Sequence, residues 1–568
     1  MIDAAPNANA LSFEFMEGSL TFLAIALAVT LPRLGESVFA PIERAFSALA
    51  RRRTLAVVVV GLSNLVLRLS TLPWLPIPKP FVPDDFSFLL AADTFAHFRL
   101  TNPTPALWQH FESLQIDILP TYCSMYFPAG GMVLAFGQLF LGHPWFGLLL
   151  VTAVTASAIT WMLQAWLPSR WALLGGLIFV LRLGLFSYWI NTYTGAAMIA
   201  VLGGALVFGA FPRLKRHLRH RDALLLALGI VILLLSRPYE GLLLCLPILV
   251  ALIHWIYRKR PDPGILLRRA ALPIVLILAG VSWLGYYDKV AFGSPTTLPY
   301  TINRQMYAMA PYYIWQHSRP EPVYRHQNLR DFYFQDEQNT VSKIATNFAI
   351  VTTKKAFVGI RYFTGFLLML PLILIHRVFR DRRTRLLTIG LLLLACGMFI
   401  EIFLIPHYLA PFAAAFYALG LQAMRHLRAW NPGGRSLVRW ITVSIVLLAA
   451  VRPFGPQLGI VIPKFPVSTW AANWFGPGDF GRERAAVAAQ LNNLPGRHIV
   501  FVRYAPHHEP MDEWIANAAD IPSAKVLWVQ EMSAAENEQL LRQYPGRSVW
   551  LVQPDASPVE LQPLAAPQ

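Results

Sequence analysis

From Leu11 to Arg452 the chain is a succession of apolar runs separated by short, basic connections. This pattern excludes most soluble architectures, because no soluble core has room for so many long apolar segments. A membrane-crossing helix needs roughly 20 apolar residues, and about a dozen runs qualify as candidates. They fall near Leu11–Leu31, Leu55–Leu75, Trp145–Leu167, Leu173–Phe186, Ala196–Phe211, Ala271–Tyr286, Phe357–Val378, Leu386–Ile405, Leu409–Ala423 and Ile441–Val451, with two more inside Asp222–Tyr257. The Gly-rich 129–141 run is shorter and reads as a partly inserted helix. Hydrophobic residues make up 55% and charged residues 14% of the chain. The expected fold class is therefore a polytopic α-helical membrane protein.

A net charge of +17 would point to nucleic acid in a soluble protein. Here the cations cluster between the runs: Arg51 to Arg53, Arg213 to Arg221, Arg258 to Arg269, Arg380 to Arg385 and Arg425 to Arg439. Such clusters set topology, so membrane lipids are expected partners and nucleic acid is not. With the basic loops inside, the polar clusters Asp84/Asp85, His110/Glu112, Asn191/Tyr193, Arg237/Glu240, Asp288 and His407 all fall on the outer side. The strictest test is Asp222–Tyr257, which lies between two basic clusters and so must cross twice. Ser236-Arg237-Pro238-Tyr239-Glu240 supplies the turn. Met1 to Gly18 lacks the basic start of a signal peptide, so the first span is expected to be retained. Of three cysteines only Cys123 lies in a loop, and no disulfide or Cys-based zinc site is implied.

The chain divides into a transmembrane domain, 1–455, with outer loops 76–128 and 287–355, and a C-terminal domain, 456–568. In the latter, Ile499–Tyr504, Val526–Gln530 and Val549–Val552 read as strands. Arg482–Asn492, Pro510–Ala519 and Ala534–Gln543 read as helices. This alternation predicts a small α/β extramembrane domain.

Chemistry concentrates in the first outer loop. Asp84 and Asp85 follow Pro83 and open an apolar-striped helical stretch. One Asp would suffice as a cap; two at a membrane surface suit catalysis or metal binding, and an outward carboxylate can act as general base. His97, His110 and Glu112 share the loop. If His110-Phe111-Glu112 is extended, both polar side chains face one way and, with Asp84 or Asp85, make a divalent metal ion a candidate cofactor. The bland alternative is a hydrogen-bonded loop under Trp108 and Phe111.

Arg237 can hold a phosphate through its planar fork or simply pair with Glu240. His407 and Tyr408 sit at a span junction, where they can meet a phosphate or line the interface. Asn191 and Tyr193 can orient a sugar hydroxyl or a carboxylate, or form an interfacial turn. Arg304, Tyr307, Tyr312, Tyr313, Trp315 and His317 give the second outer loop an aromatic, polar character that suits sugar rings.

The acidic pair at the start of a surface helix, Pro83-Asp84-Asp85-Phe86, the many spans and the extramembrane C-terminal domain resemble the GT-C superfamily of membrane glycosyltransferases. That group includes the protein O-mannosyltransferases and the lipid A aminoarabinose transferases. The resemblance implies an inverting enzyme in a bacterial inner membrane, with its site and C-terminal domain on the periplasmic side. Its donor would be a sugar on polyprenyl phosphate, and its acceptor a hydroxyl of a glycan, lipid or protein. Asp84 would be the base and Asp85 would stand for the Glu of the usual Asp-Glu pair. Asn191 departs from the pattern, since many members carry a second acidic residue in a later outer loop, and this weakens the case for a metal. The rival readings are a lipid-linked glycan transporter or flippase, which would need polar groups near the midplane, and an O-antigen ligase or polymerase.

Overall fold

The structure is a computed structural model. It describes residues 12–194, 196–430, 433–460 and 474–564. Leu11, Gly195 and residues 461–473 near the start of the expected C-terminal domain lie outside the described residues.

The helices in chain order are α1 (Phe13–Thr30), α2 (Glu36–Arg51), α3 (Arg53–Ser70), α4 (Pro83–Ala96), α5 (Pro128–Leu141), α6 (Pro144–Trp166), α7 (Ser169–Phe179), α8 (Tyr188–Asn191), α9 (Ala196–His217), α10 (His220–Ser236), α11 (Pro238–Lys259) and α12 (Pro263–Phe292). There follow α13 (Thr301–Tyr307), α14 (Gln327–Arg330), α15 (Glu337–Met369), α16 (Ile375–Arg380), α17 (Arg385–Ile400), α18 (Ala413–Arg428) and α19 (Gly434–Val451). Among the described residues, eight helical stretches are long and apolar enough to cross a membrane by length and composition: α1, α3, α6, α9, α11, α12, the run from Gln327 to Arg380, and the run from Gly434 to Phe454. The other expected spans fall on shorter helices, α7, α10, α17 and α18. The reason is local: α7 passes into a π-helical turn at Val180–Gly184, and α17 ends at Glu401, where the chain becomes extended.

The expected break at Arg237-Pro238 is present. α10 ends at Ser236, Arg237 takes a non-helical conformation, and Pro238 starts α11, the position at which a missing N–H costs nothing. The outer loop expected at 287–355 is largely helical instead. α12 runs on to Phe292, and α14 and α15 with the π-helical turn between them occupy 327–369. Charged residues here cover helix surface, which a reading based on polarity takes for loop. α15 is broken at Gly365, whose φ is +56°. A Cβ there would strike Glu17 Oε1 and the Arg182 guanidinium, a fully buried pair.

The C-terminal sheet has the order β4 (Val526–Gln530), β3 (Arg497–Val502), β5 (Arg547–Gln553), β6 (Glu560–Leu564) when β1 (Ile116–Asp117) and β2 (Cys123–Ser124) are counted first. β3 pairs parallel with β4 and β5, and β6 closes the edge antiparallel to β5. Side chains alternate between the two faces. Val500, Val502, Trp528 and Val552 pack with Val487 and Leu491 of α20 (Arg482–Asn493). Ile499, Phe501, Leu527, Val529 and Leu551 pack with Leu540 of α21 (Ala534–Gln543), and also with Leu90, Phe111, Ile116, Ile118 and Tyr122 of the first loop region. Ser533 and Glu536 form the reciprocal cap that opens α21.

The helix expected at Pro510–Ala519 is absent. Its backbone is drawn outward by tertiary bonds: the Glu513 N–H donates to the Phe81 carbonyl at 3.2 Å, and the Ala519 N–H donates to Asp93 Oδ2 at 2.7 Å. The sheet domain is thus fastened to both ends of α4.

Candidate functional site

α4 begins with Pro83 and carries both aspartates in its first turn, where the helix dipole favours negative charge. Neighbouring residues on a helix point about 100° apart, so the two carboxylates serve different surroundings. Asp85 is fully buried. Its Oδ1 accepts the Tyr193 N–H at 2.7 Å and its Oδ2 the Phe81 N–H at 3.3 Å. Burial pushes its pKa up to about 7 against those bonds. Asp84 is 8% exposed. Its Oδ1 accepts from the Tyr126 hydroxyl at 2.6 Å. Burial raises its pKa, while Tyr126, the Gln115 amide and the Arg237 guanidinium act to lower it. Asp85 ties the backbone together, and Asp84 faces side chains.

Tyr126 and Gln115 come from the loop before α5, and further side chains reach the site from helix ends. Arg237, between α10 and α11, lies with its guanidinium 4.7 Å from the centroid of the Tyr408 ring. Its closest acid is Glu240, at 3.8 Å. It is 7% exposed, and among the described residues no hydrogen bond reaches its side-chain N–H groups. A buried guanidinium normally finds acceptors for most of its five donors. Among the described residues Arg237 Nε has no partner, and the Glu240 carboxylate stays 3.8 Å from Nη1, beyond hydrogen-bond distance. His407, in the short 3-10 stretch Pro406–Phe412, is held by Tyr188 of α8, with Nδ1 2.9 Å from the phenol oxygen. Burial and then Arg237 keep its pKa well below the ordinary histidine value.

Tyrosines close the site. Tyr126 stacks on Phe88 at 4.5 Å and meets Tyr300 edge-on at 5.5 Å. Tyr300 has a φ of +71°, unusual for a residue with a Cβ, and its backbone N–H is pinned to the Met125 carbonyl at 3.0 Å. Strain held by surrounding bonds in this way is typical of functional sites. Glu401, at the end of α17, is a further acid beside Glu240 and Arg237.

Of the residues singled out in the sequence, Asp84, Arg237, Glu240, His407 and Tyr408 come together. Others have different duties. The Asn191 amide donates to the Leu185 and Ser187 carbonyls, both at 2.8 Å, and its oxygen accepts from Arg68 at 3.0 Å. Tyr193 gives its N–H to Asp85 and its hydroxyl to the Pro78 carbonyl. Both residues act as loop clasps, leaving little of Asn191 for a sugar or a carboxylate.

His110 and Glu112 do not join Asp84. Trp108–Phe111 is a 3-10 turn, so the extended geometry that would align the two side chains is missing. His110 Nδ1 meets the Gln530 carbonyl at 3.1 Å. Glu112 accepts from Tyr307 at 2.8 Å and has Arg325 and His326 within 3.6 Å and 3.4 Å. His97 is held by Asp93 instead. Among the described residues no group of three or more His, Cys, Asp and Glu side chains is placed to hold a metal ion, so the metal expected from this loop has no set of ligands.

In the second loop region Arg304 is paired with Glu337 at 2.5 Å and packs over Tyr312 at 4.8 Å. Tyr313 stacks on Trp315 at 4.8 Å and tilts against Tyr239 at 5.6 Å. Tyr126, Tyr188, Tyr300 and Glu401 do not stand out in the sequence. Tyrosine near a span end normally reads as an interfacial anchor, and Glu401 closes an otherwise apolar run. An acid at that position was the one signal available.

No protein-family model matches the sequence, and no curated protein matches it. Solved structures do. ArnT from Cupriavidus metallidurans bound to undecaprenyl phosphate is similar over 87% of this chain and 92% of its own, at 16% identity and a TM-score of 0.46. ArnT in the apo state gives 13% identity and a TM-score of 0.47 over the same shares. The Archaeoglobus fulgidus oligosaccharyltransferase in complex with Zn and sulfate is similar over 88% of this chain and 67% of its own, at 10% identity and a TM-score of 0.45. At such identities and scores the function of this chain has to be argued from its own side chains.

Proposed function

We propose that this chain is an integral-membrane glycosyltransferase that moves a sugar from a polyprenyl-phosphate carrier to an acceptor hydroxyl, with Asp84 as general base. The observation that carries this reading is the buried Arg237 fork, free of hydrogen-bond acceptors among the described residues, in the same site as Asp84. A guanidinium left in that state suits the oxygens of a phosphate. The ionised Asp84 takes the proton of the acceptor hydroxyl. The acceptor oxygen attacks the anomeric carbon from the side opposite the phosphate, which inverts it. The bond from that carbon to the phosphate oxygen breaks, and its electron pair stays on the phosphate. Charge developing there meets Arg237, and stabilisation of this kind is commonly the largest catalytic contribution. The side chains sit at helix ends away from the basic loops, which supports a reaction on the outer face of a bacterial inner membrane, with a glycan, lipid or protein as acceptor reached from that side.

The test is transfer from polyprenyl-phosphate sugars by purified full-length protein in lipid. Asp84→Asn should lower kcat by about 10²- to 10⁴-fold, the range for removal of a general base, while thermal stability stays near wild type. Arg237→Gln should lose at least tenfold in kcat/KM, on the order of one charge-assisted hydrogen bond. Full activity of Asp84→Asn would sink the assignment.

A further inference from the structure

Three kinds of residue divide the surface of α2. Successive residues point about 100° apart on a helix, so Val38, Ile42 and Ala45 form one stripe. Phe39, Glu43, Phe46, Ser47 and Ala50 form a second, and Ser37, Arg44 and Arg51 a third. The second stripe packs on the bundle. Glu43 Oε1 pairs with Arg439 Nε at 2.7 Å and Glu43 Oε2 with Arg435 Nη2 at 2.8 Å, both from α19. The Phe39 ring meets Trp440 edge-on at 5.7 Å, and Ser47 and Ala50 are buried. The first stripe is apolar and uncovered: Val38 is 60% exposed, Ile42 57%, and Leu34, just before the helix, 44%.

The joints of α2 settle what that stripe meets. Only residues 31–35 separate it from α1, and only Arg52 separates it from α3. Gly35 makes the first joint abrupt, with a φ of +74° that suits glycine and no room for a Cβ, which would meet the Phe39 ring at 2.9 Å. α1 and α3 are both long and apolar enough to cross a membrane. α2 has 16 residues, about 24 Å at 1.5 Å per residue. With each end fastened to the end of a span, it has to run along the membrane surface. The exposed apolar surface is continuous across the joints, from Val29 and Leu31 through Leu34, Val38 and Ile42 to Leu55 and Val58 of α3. Arg33, Arg44, Arg51 and Arg52 are exposed beside it. Among the described residues no ion pair involves these four, whereas both acids of α2, Glu36 and Glu43, reach arginines of α19. An apolar stripe flanked by free arginines is the pattern of a helix lying in a membrane interface.

We propose that α2 is an in-plane binding surface for anionic glycerophospholipids, with Leu34, Val38 and Ile42 among the acyl chains and Arg33, Arg44 and Arg51 on the headgroup phosphates. This surface belongs to the leaflet at the basic end of the bundle, opposite the end where Asp84 and Arg237 meet, and does not rest on the transferase reading. The guanidinium forks match phosphate oxygens. A soluble phosphate offers the same oxygens, but only a lipid also covers the apolar stripe.

The experiment uses full-length protein in lipid nanodiscs, in a Cys245→Ala/Cys396→Ala background, with the fluorophore NBD attached to Val38→Cys, Ile42→Cys or Ser37→Cys. The Val38 and Ile42 probes should be quenched by phospholipid carrying a nitroxide near the glycerol end of an acyl chain and spared by aqueous iodide. The Ser37 probe, on the third stripe, should show the reverse. Iodide reaching Val38 as readily as Ser37 would overturn the proposal. So would protection of Val38 from both quenchers, which would mean that protein, whether a second copy or another chain, covers the stripe.

Charge is read separately. At equal mole fraction, nitroxide-labelled phosphatidylglycerol should quench the Val38 probe more than nitroxide-labelled phosphatidylcholine, and added salt should shrink the difference. Arg33→Gln/Arg44→Gln/Arg51→Gln should lower that preference at least about twofold, well within what three basic residues contribute at an anionic surface. Arg33→Lys/Arg44→Lys/Arg51→Lys should keep most of it. Soluble glycerol phosphate at matched ionic strength should leave it unchanged. Equal quenching by the two lipids would overturn the anionic assignment, and loss of the preference to glycerol phosphate would show a phosphate site rather than a lipid surface. None of these readings needs sugar transfer, so a failure of the transferase reading leaves them intact.

Discussion

Adjacent aspartates of the same type are set to different tasks by one helical step. Asp85 spends both oxygens on backbone N–H groups, whereas Asp84 faces Tyr126, Gln115 and Arg237. As a base, Asp84 works only when ionised, and burial raises its pKa. Activity should therefore rise with pH through an acid limb that lies above the ordinary aspartate range, and then level off. Arg237 opposes the rise, so Arg237→Gln should move the limb to higher pH as well as lowering the plateau. A kcat/KM profile of the two proteins checks this, and a limb that stays put in Arg237→Gln would separate the two residues. Asp117 offers a stability test away from the reaction. It is 1% exposed, and burial pushes its pKa up to about 8 while the Asn303 side chain acts to lower it. Since that folded value exceeds the unfolded one, the folded state binds more protons between about pH 4 and 8, and stability falls as pH rises through that window. Asp117→Asn should match wild type near pH 4 and exceed it by at least about 1 kcal/mol above pH 8, as thermal melts at the two pH values would show. The sequence made Asp84, Arg237 and His407 visible because each interrupts an apolar pattern. It could not separate Asp84 from Asp85, because the acceptor geometry that distinguishes them comes from Tyr193, more than a hundred residues away.

At the scale of elements, the sheet domain is a buttress for the loop that carries Asp84. Glu513 is the centre of the contact. It is 1% exposed, accepts from the Leu114 N–H at 3.2 Å, the Tyr504 hydroxyl at 2.9 Å and the Ile515 N–H at 2.8 Å, and gives its own N–H to Phe81. Gln530 links His110 and Glu112 of the same loop, and Arg484 lies 4.4 Å from the Phe86 ring centroid. Removing the Glu513 carboxylate would leave several buried donors unsatisfied, at roughly 1–3 kcal/mol for each such group. Glu513→Ala should lower the melting temperature, speed proteolysis within 103–121, and lower transfer although the residue lies outside the reacting cluster. Glu513→Gln, which keeps an acceptor oxygen, should lose less. Unchanged proteolysis and melting would show that the docking is dispensable. This contact also accounts for the failure of the sequence to reveal the 510–519 segment. Its composition suits a helix, and long-range bonds to Phe81, Asp93 and Leu114 outweigh that weak preference. β4, α20 and α21 were legible because each is settled locally, by a continuous apolar run buried on both faces, by apolar spacing, or by the Ser533–Glu536 cap.

For the whole molecule, the arrangement of charge predicts a direction across the membrane. α3 begins at Arg53 after Arg51 and Arg52 and leads to Asp84. α10 begins after Arg219 and leads to Arg237, from which α11 returns to Arg258 and Lys259. α17 begins at Arg385 and leads to His407. Each site residue thus stands at the opposite end of a helix from an arginine cluster, and such clusters favour the cytoplasmic side. The number of candidate spans does not decide this, since α10 and α17 are short. What supports it is that Arg237 and His407, reached by different helices, meet at one end of the bundle. Val323 is 94% exposed in the segment between α13 and α14, and Arg382 is exposed in the basic connection before α17. Of the three native cysteines, Cys123 is buried, Cys245 is half-buried on the apolar helix α11, and Cys396 is exposed on the apolar helix α17. Single cysteines at the two test positions can therefore be read against a low background. A membrane-impermeant maleimide applied to spheroplasts should label Val323→Cys and spare Arg382→Cys until the membrane is opened. The reverse pattern would put Asp84 and Arg237 on the cytoplasmic side and require a donor presented there. Equal labelling of both would mean that the chain inserts in two orientations, which the uneven spread of arginine argues against.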